Sequence, residues 1–403
     1  MIRLGVIGYG QRLAHMVEAI GRFGAGTRVV AVVDPRKDEL RRLHAEALRD
    51  ATFFEDVDAM LDAGDLDGVM IGTRCSLHTP YAVKVLQRHL PLFLEKPVAT
   101  SWEQLDTLRT AAERSRSPVV VSFPLRVSDM CTTARAIVDS GAIGTVEHLQ
   151  AVNNVPLYGS IYYHGWMRDE GETGGLWLQK ATHDFDYITF LVGQRPARVC
   201  AIESKTVFRG EMPAGLRCVD CDRQDECMES PYNQFYRQDL TPAVEPNDWL
   251  CSFAPDTGNH DSASAIIQYQ SGMHAVYTQN FYTRRGAARR GATLIGYRGT
   301  LGFDWYQNEL TVHYHHSNRV ERHQFEVAGE GHHGGDKELA HDFLAVIQGR
   351  GASRATLEAA LVSTELCLLA RDSCRTASFQ EFGRPPAGTG KGQEPATETL
   401  GVR

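Results

Sequence analysis

Short apolar runs alternate with segments of helical periodicity over residues 1–123, and this alternation restricts the fold more than any other feature. The apolar runs predict strands at 2–8, 29–33, 51–54, 68–73, 92–97 and 118–123. Helical patterns lie between several of them, including 56–62 and 79–88. Strands that alternate with helices of this length form a doubly wound parallel sheet. The sequence therefore predicts an α/β fold.

The first strand ends in a glycine-rich turn that leads directly into a helix. Gly8 permits the tight turn, and Gly10 lets backbone amides at the helix start approach a pyrophosphate, which the helix N-terminus attracts. The neighbouring residues Tyr9, Gln11 and Arg12 are also predicted to bind the cofactor. The third position of the fingerprint is usually small, and here it is Leu13. Residues 1–123 are therefore predicted to be a Rossmann dinucleotide-binding domain with an incomplete fingerprint.

The second strand ends at Asp34, close to the spacing at which a carboxylate accepts hydrogen bonds from an adenosine ribose. Because a carboxylate repels a 2′-phosphate, Asp34 favours NAD over NADP. Arg36 could still accommodate that phosphate. Asp34 could also cap the helix that starts at Pro35. The two roles are compatible, and the glycine turn upstream favours ribose binding.

Two charged residues end the buried strand predicted at Leu92–Leu94. They are Glu95 and Lys96, and Pro97 prevents the strand from continuing. Ligands of open parallel sheets bind at the carboxyl ends of the strands. Lys96 is therefore placed to act on a ligand, although an ordinary solvated turn is the alternative.

Several motifs together resemble the Gfo/Idh/MocA family, the NAD(P)-dependent dehydrogenases of sugars and cyclitols. They are Gly8–Gly10, Asp34, Thr73–His78, Glu95–Pro97, Arg126, Ser140–Gly144, Gly174–Leu176 and His183–Asp186. The similarity extends to about Thr376. It implies a second domain, residues 124–380, with a large, mainly antiparallel open sheet. One face of this sheet is expected to lie towards the nicotinamide, and the other is often used for oligomerisation. Alternating strands at 146–152, 263–269, 275–281, 293–297 and 300–305 agree with such a sheet.

The resemblance also implies cofactor contacts, a backbone feature and an assembly state. The contacts are Thr73, Arg74, His78, Glu95, Lys96 and Arg126. The Lys96–Pro97 peptide bond is expected to be cis. The chain is expected to form a dimer or tetramer.

A helix predicted at 176–191 carries His183. A lone histidine there is typical of a core residue, but the resemblance implies that His183 lies at the hydride-transfer site. Dehydrogenases of the family commonly carry an aspartate four residues earlier, and here that position is Gln179, whose amide cannot act as a base. Lys180 is expected to take part instead, because Lys-x-x-His-Asp-x-Asp occurs in one branch of the family.

The predicted catalytic set is Lys96, His183 and Lys180. Lys96, with a pKa lowered by desolvation, would hydrogen-bond the reacting oxygen and stabilise alkoxide character. His183 would relay the proton while NAD accepts a hydride. Gln179 would orient a substrate hydroxyl.

An aromatic and charged segment at 158–168 predicts a wall that holds sugar rings. Its candidate substrate contacts are Tyr163, His164, Trp166 and Arg168. An interdomain loop packed against the sheet is the alternative. His332, in the loop that precedes a helix at 337–348, is a further candidate contact. The arginines at 284, 285, 289 and 290 are predicted to form a solvated rim rather than a site for an acidic substituent.

Four cysteines in a polar stretch predict a closed thiolate site, most naturally structural zinc. They are Cys218, Cys221, Cys227 and Cys251. Free thiols are the main alternative, and an iron–sulfur cluster and disulfides are less favoured. We expect no catalysis from this site, because four thiolates would close the coordination sphere.

Charge and hydropathy exclude two classes of partner. The formal net charge of −8 argues against nucleic acid, and no apolar run approaches the roughly 20 residues that cross a bilayer. With no signal-peptide pattern after Met1, a cytoplasmic location is expected. Residues 385–403, rich in Pro, Gly and Thr, are predicted to be a disordered tail.

The leading hypothesis is an NAD-dependent oxidoreductase that acts on a hydroxyl or ketone of a sugar, glycoside or cyclitol. One alternative is a glycoside-cleaving enzyme in which tightly bound NAD is reduced only transiently. A second alternative is a non-catalytic NAD-binding regulatory protein.

Overall fold

Six parallel strands form the first sheet of the computed structural model, which describes residues 1–23, 26–156, 161–234, 249–326 and 331–383. The strands are β1 (Ile2–Ile7), β2 (Thr27–Val33), β3 (Thr52–Phe53), β4 (Gly68–Ile71), β5 (Leu92–Leu94) and β6 (Val119–Val121). Their order is β3-β2-β1-β4-β5-β6. The order changes direction at β1, so the carboxyl ends of β1 and β4 meet at a topological switch point. The predicted doubly wound sheet is confirmed.

Five helices connect these strands. They are α1 (Gln11–Gly21), α2 (Lys37–Leu43), α3 (Val57–Asp62), α4 (His78–Gln87) and α5 (Trp102–Glu113). Two begin at side-chain caps, since Asp56 accepts from the Ala59 N–H and Ser101 accepts from the Gln104 N–H. Such caps satisfy amides that have no partner within the helix.

The helices of the second half are α6 (Pro124–Val127), α7 (Asp129–Asp139), α8 (Ile161–His164), α9 (Glu170–Thr173), α10 (Thr182–Val192), α11 (Pro231–Gln234), α12 (Gly335–Ile347) and α13 (Leu357–Thr376). The helix predicted at 176–191 is divided, because Trp177–Ala181 is a π-helical turn that precedes α10. The predicted segment 158–168 becomes α8 followed by a 3-10 turn at Trp166–Arg168. Its residues 158–160 lie outside the described residues, as does the tail predicted at 385–403.

Nine strands form the second sheet within the described residues. They are β7 (Val146–Asn154), β8 (Pro196–Ser204), β9 (Ser262–Tyr269), β10 (His274–Asn280), β11 (Arg289–Gly296), β12 (Gly299–Asp304), β13 (Glu309–Tyr314), β14 (Val320–Gln324) and β15 (Gln380–Glu381). Their order is β14-β13-β12-β11-β7-β10-β9-β8-β15, and only the β7–β10 pair is parallel. The predicted large, mainly antiparallel sheet is confirmed. One face packs against α7, α10 and α13.

The chain returns to the first core after it has completed most of the second sheet. Leu339, Phe343 and Ala360, from α12 and α13, are buried in the same apolar cluster as β1, β4 and β5. The backbone amide of Val121 in β6 also donates to the carbonyl of Ala355. The sequence analysis placed these residues with the second domain, whereas they complete the packing of the first. None of the described helices combines the length and apolarity needed to span a membrane.

Candidate active site

The glycine turn between β1 and α1 has the shape that a dinucleotide pyrophosphate requires. Gly8 has a φ of +79°, and a Cβ there would lie 2.7 Å from Cγ2 of Thr73. At Gly10, a Cβ would meet nothing within 4 Å, so space is open beside the start of α1. Helix N-termini favour anions through their amides and dipole. The turn therefore fits the diphosphate of a nicotinamide dinucleotide.

The helix α1 packs closely on the sheet because the small residue at their contact lies next to a strand rather than in the helix. Leu13 occupies the position that is usually small, but it faces Gly72 at the end of β4. A Cβ on Gly72 would lie 2.5 Å from Cγ of Leu13. The missing small residue of the fingerprint is thus compensated by a glycine on the neighbouring strand.

Asp34 joins the end of β2 to the glycine turn. Its carboxylate accepts from the Tyr9 N–H at 2.9 Å and from the Arg36 N–H at 2.9 Å. The guanidinium of Arg36 also donates to Asp34 at 3.2 Å. The N-cap position before α2 is occupied by Arg36, whose side chain makes no capping bond, so Asp34 forms a local turn rather than the helix cap.

Lys96 lies at the carboxyl end of β5, where its Nζ donates to the Gln179 carbonyl at 2.9 Å. Burial lowers the pKa of Lys96, and Cys75 and Glu95 oppose that shift. The Lys96–Pro97 peptide bond is cis, as the resemblance implies. The alternative of a solvated Glu-Lys turn does not fit, because Glu95 is buried and paired with Arg12 at 2.9 Å.

The π-helical turn Trp177–Ala181 brings Gln179 and Lys180 towards Lys96. The side chain of Gln179 accepts from the thiol of Cys75 at 3.4 Å. Burial, together with the charges of Arg290 and Lys96, lowers the pKa of Lys180 to about 7, and Asp184 opposes that shift. Lys180 can therefore change its charge near neutral pH. Insertions of this π type are frequent at functional sites.

His183 is buried one turn later, at the start of α10. Its ring lies 5.9 Å from Phe123 and 6.2 Å from His332, measured between centroids. Within the described residues, its buried Nδ1 has no hydrogen-bond partner. Burial holds the pKa of His183 well below its usual range, and nearby positive groups add to that shift. His183 is therefore neutral at neutral pH and able to accept a proton.

Behind this cluster lies a buried ion pair that the sequence analysis missed. Arg290 is buried and donates to Asp184 at 2.9 Å, so the prediction of a solvated rim is wrong for Arg290. Asp184 also accepts from Asn153 and Tyr277. The inward alternation of β11 was the signal that could have placed Arg290 inside.

A second network joins the glycine turn to α12. Arg12, assigned to the cofactor, donates to Glu95 at 2.9 Å, to Ser122 at 3.0 Å and to Asp336 at 2.6 Å. Asp336 also lies 3.0 Å from Nδ1 of His332. The structure thus places His332 beside His183. It also joins two of the predicted cofactor contacts, Arg12 and Glu95, in an ion pair.

Three other cofactor candidates have protein partners. His78 contacts the Pro97 and Thr73 carbonyls through its two ring nitrogens, at 2.8 and 3.2 Å. Arg126 forms a bidentate ion pair with the buried Asp186. Arg74 lies over the ring of Trp166 at 4.1 Å, near the surface. Their contact with a cofactor stays a prediction.

Most of the predicted substrate wall is engaged in internal packing. Tyr163 is buried and donates to the His260 carbonyl, and His164 stacks on Trp249 at 4.6 Å. Arg168 is buried and paired with Asp256 at 2.7 Å. These contacts favour the alternative of a packed loop for Tyr163, His164 and Arg168, and leave Trp166 partly exposed.

The four cysteines predicted to bind zinc are Cys218, Cys221, Cys227 and Cys251, and none of them forms a disulfide within the described residues. Burial, followed by the proximity of the other three thiols, raises the pKa of Cys218 to about 12. Its Sγ lies 3.8 Å from Nδ1 of His164. Across the described ranges, no three His, Cys, Asp or Glu side chains are arranged to hold a metal ion. The zinc centre is not confirmed and stays a prediction.

Two family models match the chain over most of its length. One, described as oxidoreductase family, NAD-binding Rossmann fold, matches residues 2–123, and the GFO/IDH/MocA C-terminal domain matches residues 131–302. The chain belongs to the Gfo/Idh/MocA oxidoreductase family. It is therefore an NAD-binding oxidoreductase, as the motifs from Gly8 to His183 imply.

Relatives of this family member include enzymes of cyclitols. Inositol 2-dehydrogenase of Leifsonia xyli subsp. xyli is 30% identical over 199 residues, which cover 49% of this chain and 56% of that protein. The oxidoreductase YteT of Bacillus subtilis is 24% identical over 364 residues, 82% of each chain. Levoglucosan dehydrogenase, solved with NADH and levoglucosan, shares the fold with a TM-score of 0.73 at 17% identity, covering 95% of this chain and 100% of that one.

Proposed function

We propose that the chain catalyses NAD-dependent hydride transfer between the nicotinamide and a secondary hydroxyl or ketone carbon of a sugar, glycoside or cyclitol. The observation that carries the proposal is the position of Lys96. Lys96 is half-buried at the carboxyl end of β5, and its ammonium group lies beside the π-helical turn and the first residues of α10. Ligands of this type of sheet bind at that edge.

Each polar group of the cluster has a role that fits its environment. Lys96 has three N–H donors and uses one on the Gln179 carbonyl, so others can bind the reacting oxygen and stabilise alkoxide character. His183, neutral through burial, accepts the hydroxyl proton. Lys180 becomes neutral as pH rises through about 7, which removes a positive charge beside His183. Bound NAD supplies the hydride acceptor.

The choice of cofactor rests on Asp34 and Arg36. Asp34 is placed at the end of β2, where a carboxylate accepts from the ribose hydroxyls and repels a 2′-phosphate. Arg36 already pairs with Asp34, so its charge is directed to that carboxylate. These contacts support NAD as the preferred cofactor. The printed names of the relatives, inositol 2-dehydrogenase and levoglucosan dehydrogenase, support a polyhydroxylated substrate.

A substrate panel with NAD and NADP in parallel tests the proposal. Sugars, glycosides and cyclitols are assayed with wild type, Lys96→Met and the control Lys84→Met, whose side chain pairs with Asp58 at the surface. We expect Lys96→Met to lower kcat roughly 10²–10³-fold, the usual loss on removal of one donor to a developing oxyanion. Lys84→Met should match wild type. Unchanged turnover by Lys96→Met would contradict the proposal.

Product analysis in the same assay separates net from transient oxidation. Steady accumulation of NADH with a ketone product is the expected result. Glycoside cleavage without NADH accumulation would instead indicate the transient-cofactor reaction.

A further inference from the structure

Positive groups surround His183, and they disfavour the proton that it would accept from the substrate hydroxyl. Lys96 and Arg290 oppose a charge on its ring, and His332 and Lys180 do so when they are protonated. The position four residues earlier is Gln179, whose side chain binds the Cys75 thiol. In the part of the chain that the structure describes, no carboxylate bonds to His183. A proton accepted by His183 is therefore unstable there and must move on.

A histidine with a carboxylate partner lies beside it. His332 Nδ1 is 3.0 Å from Oδ2 of Asp336, while the other oxygen of Asp336 accepts from Arg12 at 2.6 Å. Although burial raises the pKa of Asp336, its contacts with His332 and Arg12 hold it well below the usual range. Asp336 is thus ionised and can stabilise an imidazolium on His332.

The backbone holds this pair in an unusual loop. His332 and His333 have φ values of +51° and +56°, a left-handed conformation that costs free energy in residues other than glycine. Gly331 approaches so closely that a Cβ there would collide with the carboxylate of Asp336. Strain of this kind persists where surrounding structure maintains it, and it clusters at functional sites.

We propose that His332 and Asp336 form the proton outlet of the oxidation, an inference that rests on the proposed function. The substrate C–H bond breaks and its electron pair leaves as hydride to the nicotinamide, while the O–H proton passes to His183. The proton then moves through one bridging water or hydroxyl to Nε2 of His332 and on to solvent. The two ring centroids are 6.2 Å apart, and the His332 side chain is 39% exposed.

The charges that face His332 come from several elements. They are Asp336 on α12, Arg12 and His15 on α1, Arg290 on β11, His183 on α10 and the adjacent His333. Burial lowers the pKa of His332, and Asp336 opposes that shift. The outlet therefore stays neutral, and ready to accept a proton, down to a pH below the ordinary histidine range.

The test compares His332→Asn with the matched control His333→Asn, because asparagine tolerates the left-handed backbone that both positions adopt. With wild type, kcat and KM for oxidation are measured across pH. For His332→Asn we expect kcat to fall roughly 10²-fold with little change in KM, and the loss of kcat below the ordinary histidine range to disappear, while the rise of kcat/KM through about 7 that Lys180 causes remains. His332→Gly should regain activity when imidazole is added, and His333→Asn should keep the wild-type profile.

Three results would overturn the outlet: wild-type kcat and pH profile in His332→Asn, no response of His332→Gly to imidazole, or an equal loss in His333→Asn. NADH binding, measured by fluorescence, verifies that each variant is folded.

The variant Lys96→Met, assayed in parallel, separates the proton outlet from the proposed function. If Lys96→Met is inactive and His332→Asn is unaffected, the outlet fails and the proposed function stands. If Lys96→Met is fully active, the proposed function itself fails.

Discussion

At the scale of single residues, the pKa of Lys180 predicts how the rate of the proposed reaction depends on pH. Burial is the main cause that lowers its pKa to about 7, followed by the charge of Arg290. A lysine is charged below its pKa and neutral above it, so its repulsion of a protonated His183 disappears as pH rises. We therefore expect kcat/KM for oxidation to rise with pH through about 7, as measured in initial-rate assays at constant ionic strength.

Two substitutions of Lys180 give opposite outcomes. Lys180→Arg stays charged, so it should lose the rise and show roughly tenfold lower kcat/KM above neutral pH, equivalent to about one pKa unit at His183. Lys180→Met is always uncharged, so the inflection should vanish and the high plateau should extend to lower pH. An inflection that persists in Lys180→Met would assign the titration to another group.

At the scale of elements, the packing of α1 on β4 depends on the absence of a side chain at Gly72. A Cβ there would lie 2.5 Å from Cγ of Leu13 and 3.0 Å from both Cδ atoms. Gly72→Ala should therefore lower the free energy of unfolding by about 1–3 kcal/mol, the usual cost of overpacking a core. Urea denaturation measures the change, and the affinity for NADH should fall with it because α1 carries the glycine turn.

The double variant distinguishes this contact from a general loss of packing. Leu13→Ala alone leaves a cavity and should cost about 2–5 kcal/mol. In combination with Gly72→Ala, the new methyl group occupies part of that cavity, so the double variant should be more stable than the sum of the two single changes predicts. Simple additivity would show that Leu13 and Gly72 do not share this contact.

At the scale of the whole molecule, sequence patterns predicted local features and missed the distant pairs. The strand–turn–helix at Gly8 and the lysine after β5 are encoded by neighbouring residues, and both were predicted. Arg290 binds Asp184 across 106 residues, and Asp336 binds Arg12 across 324. Nothing in the local pattern specifies such partners, so Arg290 was assigned to solvent and the ion pairs of Arg12 were not predicted.

Residue type alone also could not decide the role of the aromatic and charged segment at 158–168. An aromatic or charged side chain fits a sugar-binding wall as well as a packed loop. Only the three-dimensional neighbours of Tyr163 and Arg168, which include the His260 carbonyl and Asp256, favour the packed loop. The π-helical turn at Trp177–Ala181 was missed for a related reason, since its periodicity differs little from that of an α-helix over one turn.

The return of α12 and α13 to the first core predicts that the two sheets unfold together, because α13 also packs in the second core. Phe343 is fully buried and meets Phe93 of β5 edge to face at 5.6 Å. Phe343→Ala should lower the free energy of unfolding by about 3–5 kcal/mol. Phe379→Ala, at a position 46% exposed, should lower it by less than about 1 kcal/mol.

The measurement is thermal unfolding followed by tryptophan fluorescence, to which the buried Trp177 and Trp305 of the second half contribute. Because α13 contributes residues to both cores, Phe343→Ala should shift that transition as a single step, together with the loss of NADH binding. A fluorescence transition that stays in place while NADH binding is lost would mean that the first core unfolds independently, and that α13 does not couple the two sheets.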